Sequence, residues 1–155
     1  MKIITSLFVL IIAFASCSKG LDSVECDSEN TDEGLIVSSV DFGNCIYELN
    51  NKTFFIQDSI GYVNLQLEIN NGIIGDDTCT FPTIVFTDST TLLGQYGQAT
   101  GCTINFNRKV ESINDSTVNY SIKPEGCGNC EMLGYSYNFI LLDKDSITSV
   151  QFNVE

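Results

Sequence analysis

The chain has 155 residues, of which 43% are hydrophobic and 10% aromatic, with 20 acidic against 7 basic side chains and a formal charge of −13. A single domain with its own core fits that length, and the apolar content excludes wholesale disorder. The negative field repels phosphate backbones and anionic lipid surfaces, so no nucleic acid and no polybasic-type membrane docking are expected.

Met1-Lys2 supplies a positive start, and residues 3–14 form a mostly apolar run too short to cross a bilayer as a permanent helix. Residues 1–16 are therefore expected to be a secretory signal peptide. Two cleavages compete. Ala13-Phe14-Ala15 suits release of a soluble, secreted chain, whereas Cys17 stands directly behind the apolar run and can serve as the attachment point of a lipid. Cysteine parity favours the second. Seven cysteines are an odd number for an exported chain, and setting Cys17 aside leaves Cys26, Cys45, Cys79, Cys102, Cys127 and Cys130 to pair as three bridges.

Phe14-Ala15-Ser16-Cys17 resembles the bacterial lipobox, departing from it at the first position, where Phe14 replaces the usual Leu. The cysteine behind an apolar run, followed by Ser18, Lys19 and an acidic segment, is similar to the outer-membrane lipoproteins of Bacteroidota. That resemblance implies acylation of Cys17, with fatty chains such as palmitate, and a position in the cell envelope, periplasmic or surface-facing. Several acyl chains on one residue give a stable anchor where one chain alone is marginal. Residues 22–33 carry six acids and no base, so residues 17–34 read as a self-repelling tether that holds the domain off the membrane.

From residue 35 to 155 the apolar residues come in short alternating runs between Gly, Asn and Asp, which is the signature of a single β-rich domain. Strands are expected at 35–42, 45–49, 53–56, 83–86, 91–96, 102–110, 117–123, 133–142 and 149–154. Phe81-Pro82 would begin one strand and Lys123-Pro124 would end another. Val118/Tyr120/Ile122 and Tyr135/Tyr137/Phe139/Leu141 alternate most cleanly, so each should lay one face on a core. The tyrosine run is read as core, not as a ligand platform. Asn114-Asp115 and Asp143-Lys144-Asp145-Ser146 supply turns for two C-terminal hairpins, and the fold class is mainly β, an antiparallel sandwich or open barrel braced by disulfides.

Residues 58–69 carry two periods at once. Val63, Leu65, Leu67 and Ile69 alternate, which favours a strand. Ile60, Val63 and Leu67 also keep helical spacing behind an Asp58-Ser59 cap, which leaves one helix covering the sheet as the alternative.

Cys127-Gly128-Asn129-Cys130 is the sharpest local motif. An exported C-x-x-C can be a redox dithiol, but no helical pattern follows it and no βαβ surroundings frame it. Zinc would need two further ligands in a chain without His. Structural disulfides are the expectation: Cys45 with Cys79, Cys102 with Cys127 or Cys130, and Cys26 with the cysteine that remains. Asp76-Asp77 and Asp143/Asp145 lie in expected loops, without the spacing of a calcium loop. No cofactor and no metal are implied, no catalytic residue stands out, and a non-catalytic role is expected.

Ser23, Ser59, Ser89, Ser116 and Ser146 each follow Asp and precede an aliphatic residue or Thr. These resemble the acceptor motif of Bacteroidota O-glycosylation, and the resemblance implies glycan attachment at those serines. More loosely, Leu92-Leu93-Gly94, Gly101-Cys102, Arg108-Lys109-Val110, Cys130 and Val150/Phe152/Val154 look like small Bacteroidota lipoproteins, a likeness that names no activity. The expected role is a lipoprotein whose β domain binds or supports another envelope protein or a glycan. The alternatives are an exported thiol oxidoreductase centred on Cys127 and Cys130, another small secreted enzyme, or an inhibitor or adaptor of an exported protease.

Overall fold

The computed structural model describes residues 29–43, 47–74, 78–128 and 130–155. Within them lie β1 (Thr31–Gly34), β2 (Ile36–Val40), β3 (Phe54–Ile56), α1 (Ser59–Asn71), β4 (Thr90–Thr100), β5 (Thr103–Ser112), β6 (Thr117–Cys127), β7 (Leu133–Asp143) and β8 (Ser149–Val154). The strands form two four-stranded sheets, ordered β1-β5-β6-β8 and β2-β7-β4-β3. The protein is thus mainly β, an open sandwich with one helix. The second sheet is antiparallel throughout, whereas in the first β1 lies parallel to β5 and β8 parallel to β6.

Alternation along each strand produces two cores. Leu93, Ile140 and Leu142 of the second sheet meet Phe106, Val110, Val118, Tyr120 and Ile122 of the first, closing the sandwich. Leu92 and Phe139, one residue out of phase, face the other way and pack under Tyr62, Leu65 and Ile69 of α1 together with Phe42, Leu49 and Ile56. Successive side chains of a strand point to opposite faces, so the paired apolar residues Leu92-Leu93 and Phe139-Ile140 mark strands buried on both sides.

Polar groups inside the sandwich are tied across it. The Tyr120 hydroxyl donates to the Asn138 carbonyl at 3.0 Å, and Gln95 Nε2 donates to the Asn153 carbonyl at 2.7 Å. Arg108, largely buried, is ion-paired with Asp32 at 2.7 Å. This pair fastens β1 to the sandwich, so residues 31–34 belong to the folded domain and not to a tether that runs to residue 34.

Several other expectations change. Residues 59–71 are helix: Asp58 caps it by accepting from the Gly61 N–H at 2.7 Å, and the Tyr62 hydroxyl donates to the Pro82 carbonyl at 2.7 Å. The apolar residues line both sides of this helix. Tyr62, Leu65 and Ile69 are buried while Ile60, Val63 and Leu67 are exposed, which is why a period of two competed with a period near 3.6.

No hairpin joins β7 to β8. Both hydrogen-bonding edges of β7 are taken, by β2 and by β4, so the chain must leave the sheet. Ser146 turns with φ 63, Ile147 inserts into the inter-sheet core, and β8 pairs with β6 instead. The expected β5–β6 hairpin is present.

Of the run 45–49, the described residues 47–49 form no strand beyond one bridge, Tyr47 to Ile73. Residues 81–86 are irregular and Pro82 begins no strand. They close the second core through Phe81, Ile84 and Phe86. Pro124 does not end β6, which continues to Cys127. The ladder with β8 stops at Ile122 and Val154, so the missing N–H of Pro124 lies beyond the partner strand.

The two faces of α1 give a direct test. Ile69→Ala, at a fully buried site, is expected to cost about 2 to 5 kcal/mol. Leu67→Ala, 55% exposed, is expected to change stability by no more than about 0.5 kcal/mol. Urea unfolding of both variants measures this, and equal large losses would restore the strand.

Candidate functional site

Along β7 the outward positions run Phe139, Tyr137, Tyr135, and β4 brings Tyr96 directly opposite Tyr137. The face that begins as buried phenylalanine therefore ends as tyrosine. Phe139 lies across Gly94, where a Cβ would collide with its ring, and packs against Phe42 (4.9 Å) and Phe54 (5.7 Å). Tyr137 stacks on Phe139 at 6.2 Å. The tyrosines thus stand on a fixed aromatic bed.

Four tyrosines make a continuous row. Tyr47 stacks on Tyr137 at 5.8 Å, Tyr137 meets the edge of Tyr96 at 5.5 Å, and Tyr96 stacks on Tyr135 at 6.1 Å. Tyr47 comes from the loop before β3, and α1 places it. Glu48 N–H donates to the Gly72 carbonyl at the helix end (3.0 Å), and a Cβ on Gly72 would strike the Glu48 carbonyl. Leu49, 1% exposed, pins the loop to the core.

The loop then reverses at Asn50-Asn51. Lys52 N–H donates to the Leu49 carbonyl at 3.1 Å, and both asparagines have positive φ (51 and 56), a conformation that Asn tolerates better than most residues. The Asn51 N–H donates to the Tyr137 hydroxyl at 2.7 Å, and the Tyr96 hydroxyl donates to Gln98 Oε1 at 2.7 Å. Two rings of the row are therefore held at both ends. Between this turn and the row lies an open cleft of about 410 Å³, rimmed by Glu48, Asn50 and Asn51. A smaller hollow of about 180 Å³ flanks the same rings on the far side, rimmed by Asp41 and Ser136. Tyr47, Tyr135 and Tyr137 form the ridge between the two.

A hollow of about 490 Å³ at the other end of the sheet is walled by the irregular segment 83–87 and by Leu141 and Leu142 of β7. It contains no aromatic ring and its outer wall is not in a sheet or helix. The tyrosine cleft is the better built of the two.

Burial pushes the Tyr47 phenol well above its ordinary value, and the Asp41 carboxylate and neighbouring Tyr137 add to the shift. Tyr137 is also raised by burial, partly offset by backbone N–H groups of which Asn51 is the first. Both stay neutral through the physiological range. Their chemistry is that of apolar faces with polar tips.

The sequence-expected residues lie elsewhere. Cys102 and Cys130 form a disulfide with a Cα separation of 4.7 Å, one of the two pairings open for Cys102. It clamps the end of the sandwich where β4 passes to β5 and β6 to β7. There the Gly101 N–H donates to the Met132 carbonyl at 2.9 Å and the Cys102 N–H to that of Cys127 at 2.6 Å. Cys79 and Cys127 each take part in a disulfide as well. Since Cys130 is joined to Cys102, the C-x-x-C sulfurs are not each other's partners. Cys17, Cys26 and Cys45, together with Ser23 and Asp76-Asp77, lie outside the described residues.

Ser59 is the first residue of α1, beside its Asp58 cap, and is exposed, as is Ser146 in its turn. Ser89 and Ser116 are half-buried, hydrogen-bonded to Asp143 and to Asn114 respectively. Among the described residues no group of three His, Cys, Asp or Glu side chains is placed to hold a metal ion, and no helix is long and apolar enough to cross a membrane. No family model, curated protein or solved structure matches the chain.

Sequence reasoning missed Tyr47, Tyr96, Asn50 and Asn51 as members of a site and assigned Tyr135 and Tyr137 to the core. Phe139 is core, Tyr137 is half-buried, and Tyr135 is 47% exposed. The change from Phe to Tyr along β7 was the available signal, because Tyr is favoured where one end of the ring is wet.

Buried phenols make the fold alkali-sensitive. Tyr47, Tyr62, Tyr120 and Tyr137 are all raised, with burial the main cause, so the folded state keeps protons that the unfolded chain loses above about pH 10. Stability is whole below that pH and falls as pH rises through and beyond it. Urea unfolding across this range is expected to show the decline. In Tyr120→Phe the decline should be shallower, with a loss of about 1 kcal/mol at neutral pH as the Asn138 carbonyl loses its donor.

Proposed function

We propose that the protein is a non-catalytic binding module held at the bacterial outer membrane by acyl chains on Cys17, and that it takes its ligand in the tyrosine cleft. The observation that carries the binding half is the row Tyr47-Tyr137-Tyr96-Tyr135, four rings each touching the next beside an open cleft. Aromatic side chains on a rigid sheet, with few polar groups around them, are the usual make-up of a ligand site. Two rings have tethered hydroxyls, which lowers the entropy lost on binding.

The anchoring half is supported by the leader, by the cysteine behind it and by the number of remaining sulfurs. The Cys102–Cys130 bridge suits an oxidising compartment. The acidic surface keeps the domain clear of anionic lipid, so attachment rests on the acyl chains.

Two measurements test this. Cys17→Ser is expected to stop incorporation of radiolabelled palmitate and to move the chain from the membrane to the soluble fraction, whereas unchanged fractionation would refute the anchor. For the cleft, the double variant Tyr96→Ala/Tyr135→Ala is expected to lose at least about tenfold in affinity for whichever member of a chemically mixed panel of oligosaccharides, oligolysine and oligoproline the full chain binds. If no member binds, or if the variant binds as well as the parent, the cleft is not the site.

A further inference from the structure

We infer that the cleft selects neutral oligosaccharides, laid along the tyrosine row with sugars against its exposed ring surface, chiefly that of Tyr135, and hydroxyls on the polar rim. This rests on the binding reading above and adds the ligand class to it.

The rim decides the sign of the hydrogen bonds. Glu48 and Asp41 carry carboxylates on the two flanks of the ridge, and an ionised carboxylate only accepts. The ligand must therefore donate. The Asn50 and Asn51 side chains carry both donors and acceptors, while the Ser136 hydroxyl donates to the Tyr137 carbonyl and can still accept, so a partner that does both is served best, and a hydroxyl does both. A proline-rich segment lacks N–H donors and offers carbonyls, which meets this rim with the wrong sign.

Charge narrows the class further. The net charge of −13 and the two rim carboxylates oppose uronic acids, sulfated chains and phosphates. A cation would be attracted by the same charges and can sit over a single tyrosine face, which makes oligolysine the competing arm of the test. Each ring touches the next, with centroids 5.5 to 6.1 Å apart, which leaves a surface and no cage for a quaternary ammonium. Neutral hydroxylated rings with apolar faces fit the row.

Tyr96 touches both Tyr135 and Tyr137, and Tyr47 extends the patch from Tyr137. Four rings in successive contact offer more surface than one sugar covers, so affinity should grow with chain length until the patch is covered.

The test uses the full chain in a detergent without a sugar headgroup. With no Trp in the sequence, tyrosine fluorescence reports the row. Cellohexaose, laminarihexaose and mannohexaose are the neutral probes, with polygalacturonate, oligolysine and oligoproline as the other arms. Binding of at least one neutral hexasaccharide is expected, little changed by salt and weaker for the matching disaccharide.

Tyr135→Ala is expected to weaken that binding about tenfold, while Tyr135→Phe, which keeps the ring, stays within about threefold of the parent. Tyr135 is exposed, so loss of fold is not expected, and an unchanged urea midpoint checks it. The inference is overturned if the neutral probes do not bind, if they bind equally to Tyr135→Ala, or if Tyr135→Phe loses as much as Tyr135→Ala. Tyrosine-dependent binding of oligolysine, oligoproline or polygalacturonate alone would overturn the sugar class and leave the cleft itself standing.

Discussion

The ladder between β4 and β7 is the constraint on which the molecule depends. It runs from Thr90 opposite Asp143 to Thr100 opposite Leu133 without a break in register, and across its middle, at Leu92-Leu93 and Phe139-Ile140, both faces are apolar. Two central strands that must be dry on both sides require one layer below and another above. The first sheet supplies the one through Val110, Val118, Tyr120 and Ile122. Helix α1, with Phe42 and the segment 81–86, supplies the other. Everything else in the chain is arranged to deliver these two covers, and the chain changes sheet four times to do so.

The cleft arises where the upper cover stops. The helix ends at Gly72, its last turn holds the loop that carries Tyr47, and the turn at Asn50-Asn51 brings the backbone back toward β3. Beyond that point β4 and β7 continue with Tyr96, Tyr137 and Tyr135 on the same face. A face that would otherwise expose phenylalanine exposes tyrosine, whose hydroxyls take hydrogen bonds from the turn and make one to Gln98. The site is thus the end of a core that was left uncovered. Its rigidity comes from the core beneath it.

On the proposed reading the same physical features serve the envelope. Bridges such as Cys102–Cys130 fasten the crossings between sheets at one end of the sandwich, and a bridge restricts the unfolded chain outside the reducing cytoplasm. Negative charge, which keeps the domain off anionic lipid, also turns away anionic ligands.

By itself the sequence determined the β class, the β5–β6 hairpin and most strand positions after residue 90, and it left Cys102 open between Cys127 and Cys130, of which the structure joins Cys130. These follow from alternation, turn residues and sulfur count, which are local or countable properties. It did not determine residues 59–71, because a helix apolar on both sides has no single period. Nor did it reveal that β8 leaves β7, since whether a strand's edges are free depends on β2 and β4, which are far away in sequence. The tyrosine row was hidden for the same reason. Alternation tells that Tyr135, Tyr137 and Phe139 share a face, but only the tertiary structure decides how far along that face the helix reaches, and that limit separates a core from an exposed surface.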